Sequence, residues 1–342
     1  MAGKCRMIFF VALFFAIAAA SPLAWSSTLR NDVDSSAYAA LLASNPAYQS
    51  VGVFYGTTST YSFRASGTVI AQDATSAWVL TAGHVVSGTT SLRFNLDGDA
   101  VTYNAVQMVA YPKWNGNLSS GTDIALVKLD KATSALPVSI YTGKSELGQV
   151  GTFVGYGLTG TGLTGAVSYS GKHAVNNLLD SYYRTGRKTT SSILLADFDS
   201  PDDSSLNFIG SADPLTLEGL IAPGDSGGGV FIDLGGQTYL AGVNSFLWAP
   251  LDGNPDATYG DVSGDIRVST YADWIQSVIA PPTPQPPGPK PRPKPKSSFL
   301  GEEDGGSRGA DDSGPIIPEP VGTGLIGLAL LALRRRRAEP GL

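Results

Sequence analysis

Between Val51 and Ala280 the apolar residues come in short runs, each cut off by a cluster of Gly, Ser, Asn or Asp. Gly67–Ala71, Ala77–Thr81, Ser91–Leu96, Val101–Ala110, Asp123–Leu129, Val150–Tyr156, Ile193–Phe198, Gly229–Ile232 and Tyr239–Phe246 are runs of this kind. Segments of strand length, repeatedly punctuated by residues that reverse the chain, predict an all-β barrel or sandwich. A content of 41 Gly and 22 Pro fits such a turn-rich architecture. One helix is predicted at the end, over Ser269–Ile279. There Tyr271, Trp274, Ile275, Val278 and Ile279 share a face, and Ser269 is placed to cap the N-terminus. Residues 157–191, rich in Gly, Ser and Thr and weakly periodic, read as a long surface loop with one short helix near Ala174–Tyr182.

Charge narrows the partners. Residues 21–280 carry 12 Lys+Arg against 22 Asp+Glu, a net of −10, so the basic footprint that phosphate binding needs is missing and nucleic acid is excluded as a partner. The N-terminus begins with Lys4 and Arg6, runs apolar from Met7 to Ala20 and ends in Ala18-Ala19-Ala20. This is the pattern of a secretory signal peptide cut near Ala20 or a few residues later, and the apolar run falls short of the ~20 residues a spanning helix needs. The single cysteine, Cys5, lies inside that leader, so the exported chain is expected to hold no disulfide.

Ala222-Pro223-Gly224-Asp225-Ser226-Gly227-Gly228 has the composition of a nucleophile loop. Its glycines allow positive φ and close approach of a substrate, and backbone N–H groups can face a developing negative charge. A serine hydroxyl needs a base, and the base needs a group to orient it. The sequence has two histidines. His173 sits in the polar Ser170-Gly171-Lys172-His173 and is expected to meet solvent. His84 follows an apolar strand in Val79-Leu80-Thr81-Ala82-Gly83-His84, which makes it the candidate base. Asp123 opens the apolar run Asp123-Ile124-Ala125-Leu126, a place for a shielded carboxylate that could hold the imidazole.

Thr81-Ala82-Gly83-His84, Asp123-Ile124-Ala125-Leu126 and Gly224-Asp225-Ser226-Gly227-Gly228 together resemble the three triad blocks of the trypsin/chymotrypsin-like serine proteases, in that family's order. The resemblance covers about residues 50–280. It implies two packed six-stranded antiparallel β-barrels with a C-terminal helix, His84 and Asp123 coming from the first barrel and Ser226 from the second. It implies a serine-type endopeptidase that cleaves peptide bonds through an acyl-enzyme, with catalytic residues His84, Asp123 and Ser226. The oxyanion hole would be formed by the N–H groups of Gly224 and Ser226. Substrate-binding positions are Leu220, six residues before the serine, and Ser245 in Gly242-Val243-Asn244-Ser245-Phe246, with Ser245 also near Asp123. No cofactor or metal is implied, and the partner is a protein or peptide substrate. The chain departs from the family pattern at several points. Val85 and Ala222 replace frequent cysteines, Gly229 stands where proline is usual, and Leu247 replaces a common pocket glycine. Leu220 stands where trypsin carries aspartate, which implies a small or apolar P1 residue. No Ile-Val-Gly-Gly activation site precedes His84, and the partner of Asp225 is left open. A catalytically silent binding protein of the cell surface or extracellular matrix, built on the same fold, is the alternative reading.

Beyond Ile279 the composition changes. Pro281–Pro295 holds nine prolines interleaved with Lys290, Arg292 and Lys294, a semi-rigid spacer, and an acidic Gly-rich stretch follows. Pro318-Glu319-Pro320, the apolar run Val321–Leu333 and Arg334–Arg337 resemble the PEP-CTERM sorting signal of Gram-negative bacteria. That resemblance implies processing by an exosortase after signal peptidase, membrane contact only through the transient C-terminal segment, and a final place outside the cell, at its surface or in the extracellular matrix. The expected organisation is therefore a signal peptide (1–20), an N-terminal segment (21–50) and a trypsin-like domain (51–280, its halves meeting near 131–149). A linker (281–317) and a sorting segment (318–342) complete it.

Overall fold

A computed structural model describes residues 27–185 and 188–280; the signal-peptide, linker and sorting-segment expectations lie outside them. The first half of the domain closes a ring. Strands β2 (Val51–Thr57), β3 (Ser62–Gln72), β4 (Ala77–Thr81), β5 (Ser91–Asn95), β6 (Tyr103–Ala110) and β7 (Ala125–Leu129) form a barrel in the order β2-β3-β4-β7-β6-β5. Every residue of β4 is buried, as expected of a strand paired on both sides in a closed barrel. Phe54, Val79, Leu80, Phe94, Leu126 and Val127 fill the interior.

The second half spreads its strands over two sheets. Seven strands run in the order β11 (His173–Leu178), β8 (Val150–Gly155), β15 (Gly229–Leu234), β16 (Gln237–Trp248), β17 (Val262–Arg267), β13 (Lys188–Asp197) and β12 (Ser181–Thr185). Four short strands complete it in the order β10 (Gly165–Tyr169), β9 (Leu158–Thr161), β1 (Ser27–Leu29) and β14 (Gly219–Leu220). Helix α1 (Ser35–Ser44), capped by the Asp34 carboxylate accepting from the Ser36 N–H, lies against β11. The mostly β architecture with one C-terminal helix agrees with the fold expected from the sequence.

Three local expectations are corrected. The described residues of 157–191 form strands β9 to β12 and the start of β13 rather than a long loop, and no helix covers Ala174–Tyr182. His173 is buried at 1% exposure on β11, opposite Gly155 of β8. Burial pushes its pKa down to about 3, so it is a neutral core imidazole. The closing helix starts later than its periodicity suggests. A 3-10 turn over Val268–Tyr271 leads into α3 (Ala272–Ile279), and Ser269 caps nothing because its hydroxyl donates to Glu146 Oε1 at 2.6 Å. Glu146, fully buried, also takes both arms of the Arg267 guanidinium at 2.7 and 2.8 Å.

The interior is rich in acids that titrate late. Burial raises the pKa of Asp225 to about 6, of Asp180, Glu218 and Asp261 to about 7, and of Asp199 and Asp265 to about 8. A carboxyl raised in the folded state contributes stability that is fully present below its unfolded value near 4 and is lost as pH rises through the folded value. His173 has the opposite sign, but only below about pH 6.5, where the unfolded imidazole begins to protonate. The melting temperature should therefore rise as pH is lowered from 8.5 to about 6.5. A calorimetric series across that window showing a flat or falling melting temperature would count against this assignment.

Candidate active site

The strand register brings His84 and Asp123 together. β4 and β7 are antiparallel neighbours with Thr81 opposite Ala125, so the chain leaving β4 runs beside the chain entering β7. Helix α2 (Gly83–Val86) turns the backbone there, and both carboxylate oxygens of Asp123 face His84. The His84 backbone N–H donates to Asp123 Oδ1 at 2.7 Å, and its ring Nδ1 lies 2.7 Å from Asp123 Oδ2. A carboxylate accepts only, so this contact places the ring proton on Nδ1 and leaves the Nε2 lone pair free. Asp123 is fully buried, whereas the His84 side chain is 34% exposed. Gly83 is hemmed in between them and Trp114: a Cβ there would sit 3.1 Å from the indole and 3.1 Å from Asp123 Oδ1.

Ser245 is drawn into the same cluster. β16 and β17 lose register between Asn244 and Phe246, and this bulge re-aims the intervening side chain. The Ser245 hydroxyl donates to Asp123 Oδ2 at 2.6 Å, so it supports the carboxylate as a third donor.

The nucleophile loop docks onto the barrel through its backbone. The Ser66 N–H on β3 donates to the Ser226 carbonyl at 2.8 Å, and the Ser66 hydroxyl donates to the Gly224 carbonyl at 3.0 Å. Gly227, at φ +84°, lies so close that a Cβ there would be 2.0 Å from Thr81 Oγ1 and 3.1 Å from the Ala82 nitrogen. The loop thus rests on the two residues that precede Gly83-His84. The N–H groups of Asp225, Gly227 and Gly228 donate to Ala222, Asn244 and Asp225 carbonyls. Those of Gly224, at φ +102°, and Ser226 have no partner among the described residues. Ser66 was invisible to motif reading, because a serine inside a strand carries no local signal of what it will dock.

Asp225 finds its partners inside the fold. Its fully buried carboxylate accepts from the Gly157 N–H at 2.7 Å, the Ala222 N–H at 2.8 Å and the Ser27 hydroxyl at 2.9 Å. Ser27, in the left-handed region at φ +68°, belongs to β1, which inserts between β14 and β9. Leu220 is 1% exposed on β14 opposite Thr28, within an apolar cluster of Phe198, Ala222, Ala257 and Tyr259 on which Leu247 packs. It faces that cluster rather than an open surface.

The Trypsin family matches residues 44–275, most of the described chain. The chain belongs to the trypsin family. Among solved structures, HL collagenase aligns with 68% of this trypsin-family chain and 94% of its own length, at a TM-score of 0.50 and 20% sequence identity, a likeness of fold. The fold is thus supported from two directions, and the family match supports a serine-protease lineage. Among the described residues no three His, Cys, Asp or Glu side chains converge as a metal site.

Proposed function

We propose that this chain is a serine endopeptidase that cleaves peptide bonds through an acyl-enzyme on Ser226. The observation that carries the reading is the paired contact of His84 with the buried Asp123, beside the barrel edge on which the Ser226 loop rests. In this reading Ser226 Oγ attacks the scissile carbonyl carbon while His84 Nε2 takes the hydroxyl proton. Asp123 stabilises the imidazolium that forms. Collapse of the tetrahedral intermediate breaks the C–N bond, and His84 returns the proton to the leaving amine. Water then repeats the sequence on the acyl-enzyme. The unengaged N–H groups of Gly224 and Ser226 suit an oxyanion, and each such donor is worth roughly 3–4 kcal/mol of barrier.

Substrate choice follows from the residue type at position 220. A cationic P1 side chain would need a buried counter-charge that Leu220 does not supply, so a small or apolar P1 side chain fits the chemistry better. We assign the leader to signal peptidase and the C-terminal segment to exosortase, which places the enzyme outside a Gram-negative cell.

An organophosphonate probe tests the proposal directly. A covalent adduct on Ser226 of the folded protein is expected. A folded protein that takes up no probe and turns over no peptide library would favour the silent binding protein instead. Ser245→Ala offers a finer check. Loss of one hydrogen bond to a carboxylate costs about 1.5 kcal/mol, so kcat should fall about tenfold with KM little changed. Steady-state kinetics on a peptide ester would measure it.

A further inference from the structure

Asn244 is the residue through which β16 grips the nucleophile loop. Its N–H donates to the Gly228 carbonyl at 2.9 Å, its carbonyl accepts from the Gly227 N–H at 2.8 Å, and its Nδ2 donates to the Asp225 carbonyl at 3.4 Å. These contacts bracket Ser226 on both sides. Yet Asn244 is fully buried and its Oδ1 receives no donor among the described residues. Its cross-strand partner on β17 is Asp265, also fully buried. The Ser263 hydroxyl donates to Asp265 Oδ2 at 2.8 Å, and Asp265 Oδ1 receives no donor either. Paired residues of adjacent antiparallel strands project from the same face, with Cβ atoms about 5 Å apart. Two unsatisfied acceptors therefore belong to neighbouring side chains on one face beneath the nucleophile loop, and a buried acceptor left without a donor is destabilising.

No ionised group faces Asp265 to resolve this as a charge. β13 presents Leu194, β16 presents Asn244 with Gly242 above the Asp265 Cβ, and its own strand presents Ser263. Arg267, two residues on, is held by Glu146. On the loop side, Asp225 has its own three donors.

We propose that Asp265 is held as a carboxylic acid whose Oδ1–H donates to Asn244 Oδ1, making Asp265 a positioning residue for the nucleophile loop. One proton then satisfies both orphaned acceptors. It also fixes the amide orientation, with Nδ2 towards the Asp225 carbonyl. Burial raises the Asp265 pKa to about 8, in line with a neutral acid at neutral pH. An ionised Asp265 could be satisfied only by turning the amide over, which would set Asn244 Oδ1 against the Asp225 carbonyl oxygen and release one clamp on the loop. Deprotonation is therefore coupled to the placement of Ser226. The proposal rests on the serine-protease reading for its kinetic consequence but not for its structural one.

The test compares wild type with Asp265→Asn and Asp265→Ala. Asparagine keeps a donor towards Asn244 and an acceptor for Ser263 at every pH, whereas alanine keeps neither. Wild-type kcat on a peptide ester should show an alkaline fall centred near pH 8 that Asp265→Asn lacks. Asp265→Ala should lose about fivefold in kcat, the scale of one neutral hydrogen bond, with KM little changed. The infrared spectrum of wild type minus that of Asp265→Asn, which cancels the other buried acids, should show a carboxylic-acid C=O band at neutral pH that vanishes above the same midpoint. Superimposable pH profiles for wild type and Asp265→Asn, or no such band in the wild-type minus Asp265→Asn spectrum at neutral pH, would overturn the proposal. Should no variant turn over any substrate, the infrared titration still decides it. Should Asp265→Ala fail to fold, the Asp265→Asn comparison stands alone.

Discussion

Ser226→Ala is expected to lower kcat/KM by about 10⁵- to 10⁶-fold, while leaving the melting temperature within a degree or two of wild type. The size follows from the proposed role, since a triad that loses its nucleophile would keep only what substrate binding and the oxyanion donors contribute. The structural silence follows from how the loop is held. Ser66, Asn244 and Asp225 bind it through the backbone of residues 224–228, and the Ser226 side chain makes no hydrogen bond among the described residues. Removing the hydroxyl therefore deletes chemistry without deleting a support. Kinetics on a peptide ester, paired with thermal melts, would check both halves. Activity within tenfold of wild type would remove Ser226 from the mechanism, and a large fall in melting temperature would mean that the loop depends on the hydroxyl after all.

What the sequence disclosed about the site was the part fixed by residue type and by short apolar strands. β4 and β7 are short, mostly apolar strands, so their ends, and with them Gly83-His84 and Asp123, could be located before their register was known. The polar strands of the second half were illegible for the same reason in reverse. β9, Leu-Thr-Gly-Thr, is part-exposed throughout, and three of the five residues of β10, Gly-Ala-Val-Ser-Tyr, are exposed, so no apolar run marks them. At Ala174, Val175, Leu178, Leu179 and Tyr182 the spacing of apolar residues mimics a helix. The chain is in fact extended on either side of a bend, with Asn177 Nδ2 reaching the carbonyls of Asp197 and Gly219. Long-range contacts overrode local spacing there, and likewise at Ser269, where Glu146 captured a hydroxyl that the helix start would otherwise use. The supports of the site were hidden for a deeper reason. Ser66, Asn244 and Asp265 owe their roles to strand register and to a bulge, and neither is written in composition.

Asp123→Asn is expected to leave the fold standing and to lower kcat by about 10⁴-fold, the scale of a triad held in the wrong tautomer. Asp123 accepts three hydrogen bonds, from the His84 backbone N–H, the His84 ring and the Ser245 hydroxyl. An asparagine has a single oxygen for them, and its amide hydrogens must point at one of the former donors. The backbone N–H cannot turn into an acceptor, so the oxygen stays opposite it and the NH₂ meets the imidazole. Nδ1 is then forced to accept, the ring proton moves to Nε2, and the nitrogen that must take the Ser226 proton already carries one. Ser245, whose hydroxyl can rotate and accept, adapts without cost to the fold. Asp123→Ala would be the poorer test, since it strips an acceptor from buried donors at about 1–3 kcal/mol each and confounds catalysis with stability. The outcome to measure is a fall in kcat with KM held, slowed reaction with an organophosphonate, and loss of the low-field His84 Nδ1–H proton resonance. If Asp123→Asn instead keeps kcat within tenfold, the carboxylate serves only to anchor the turn at Gly83-His84, and the burial of this pair is architecture rather than catalysis.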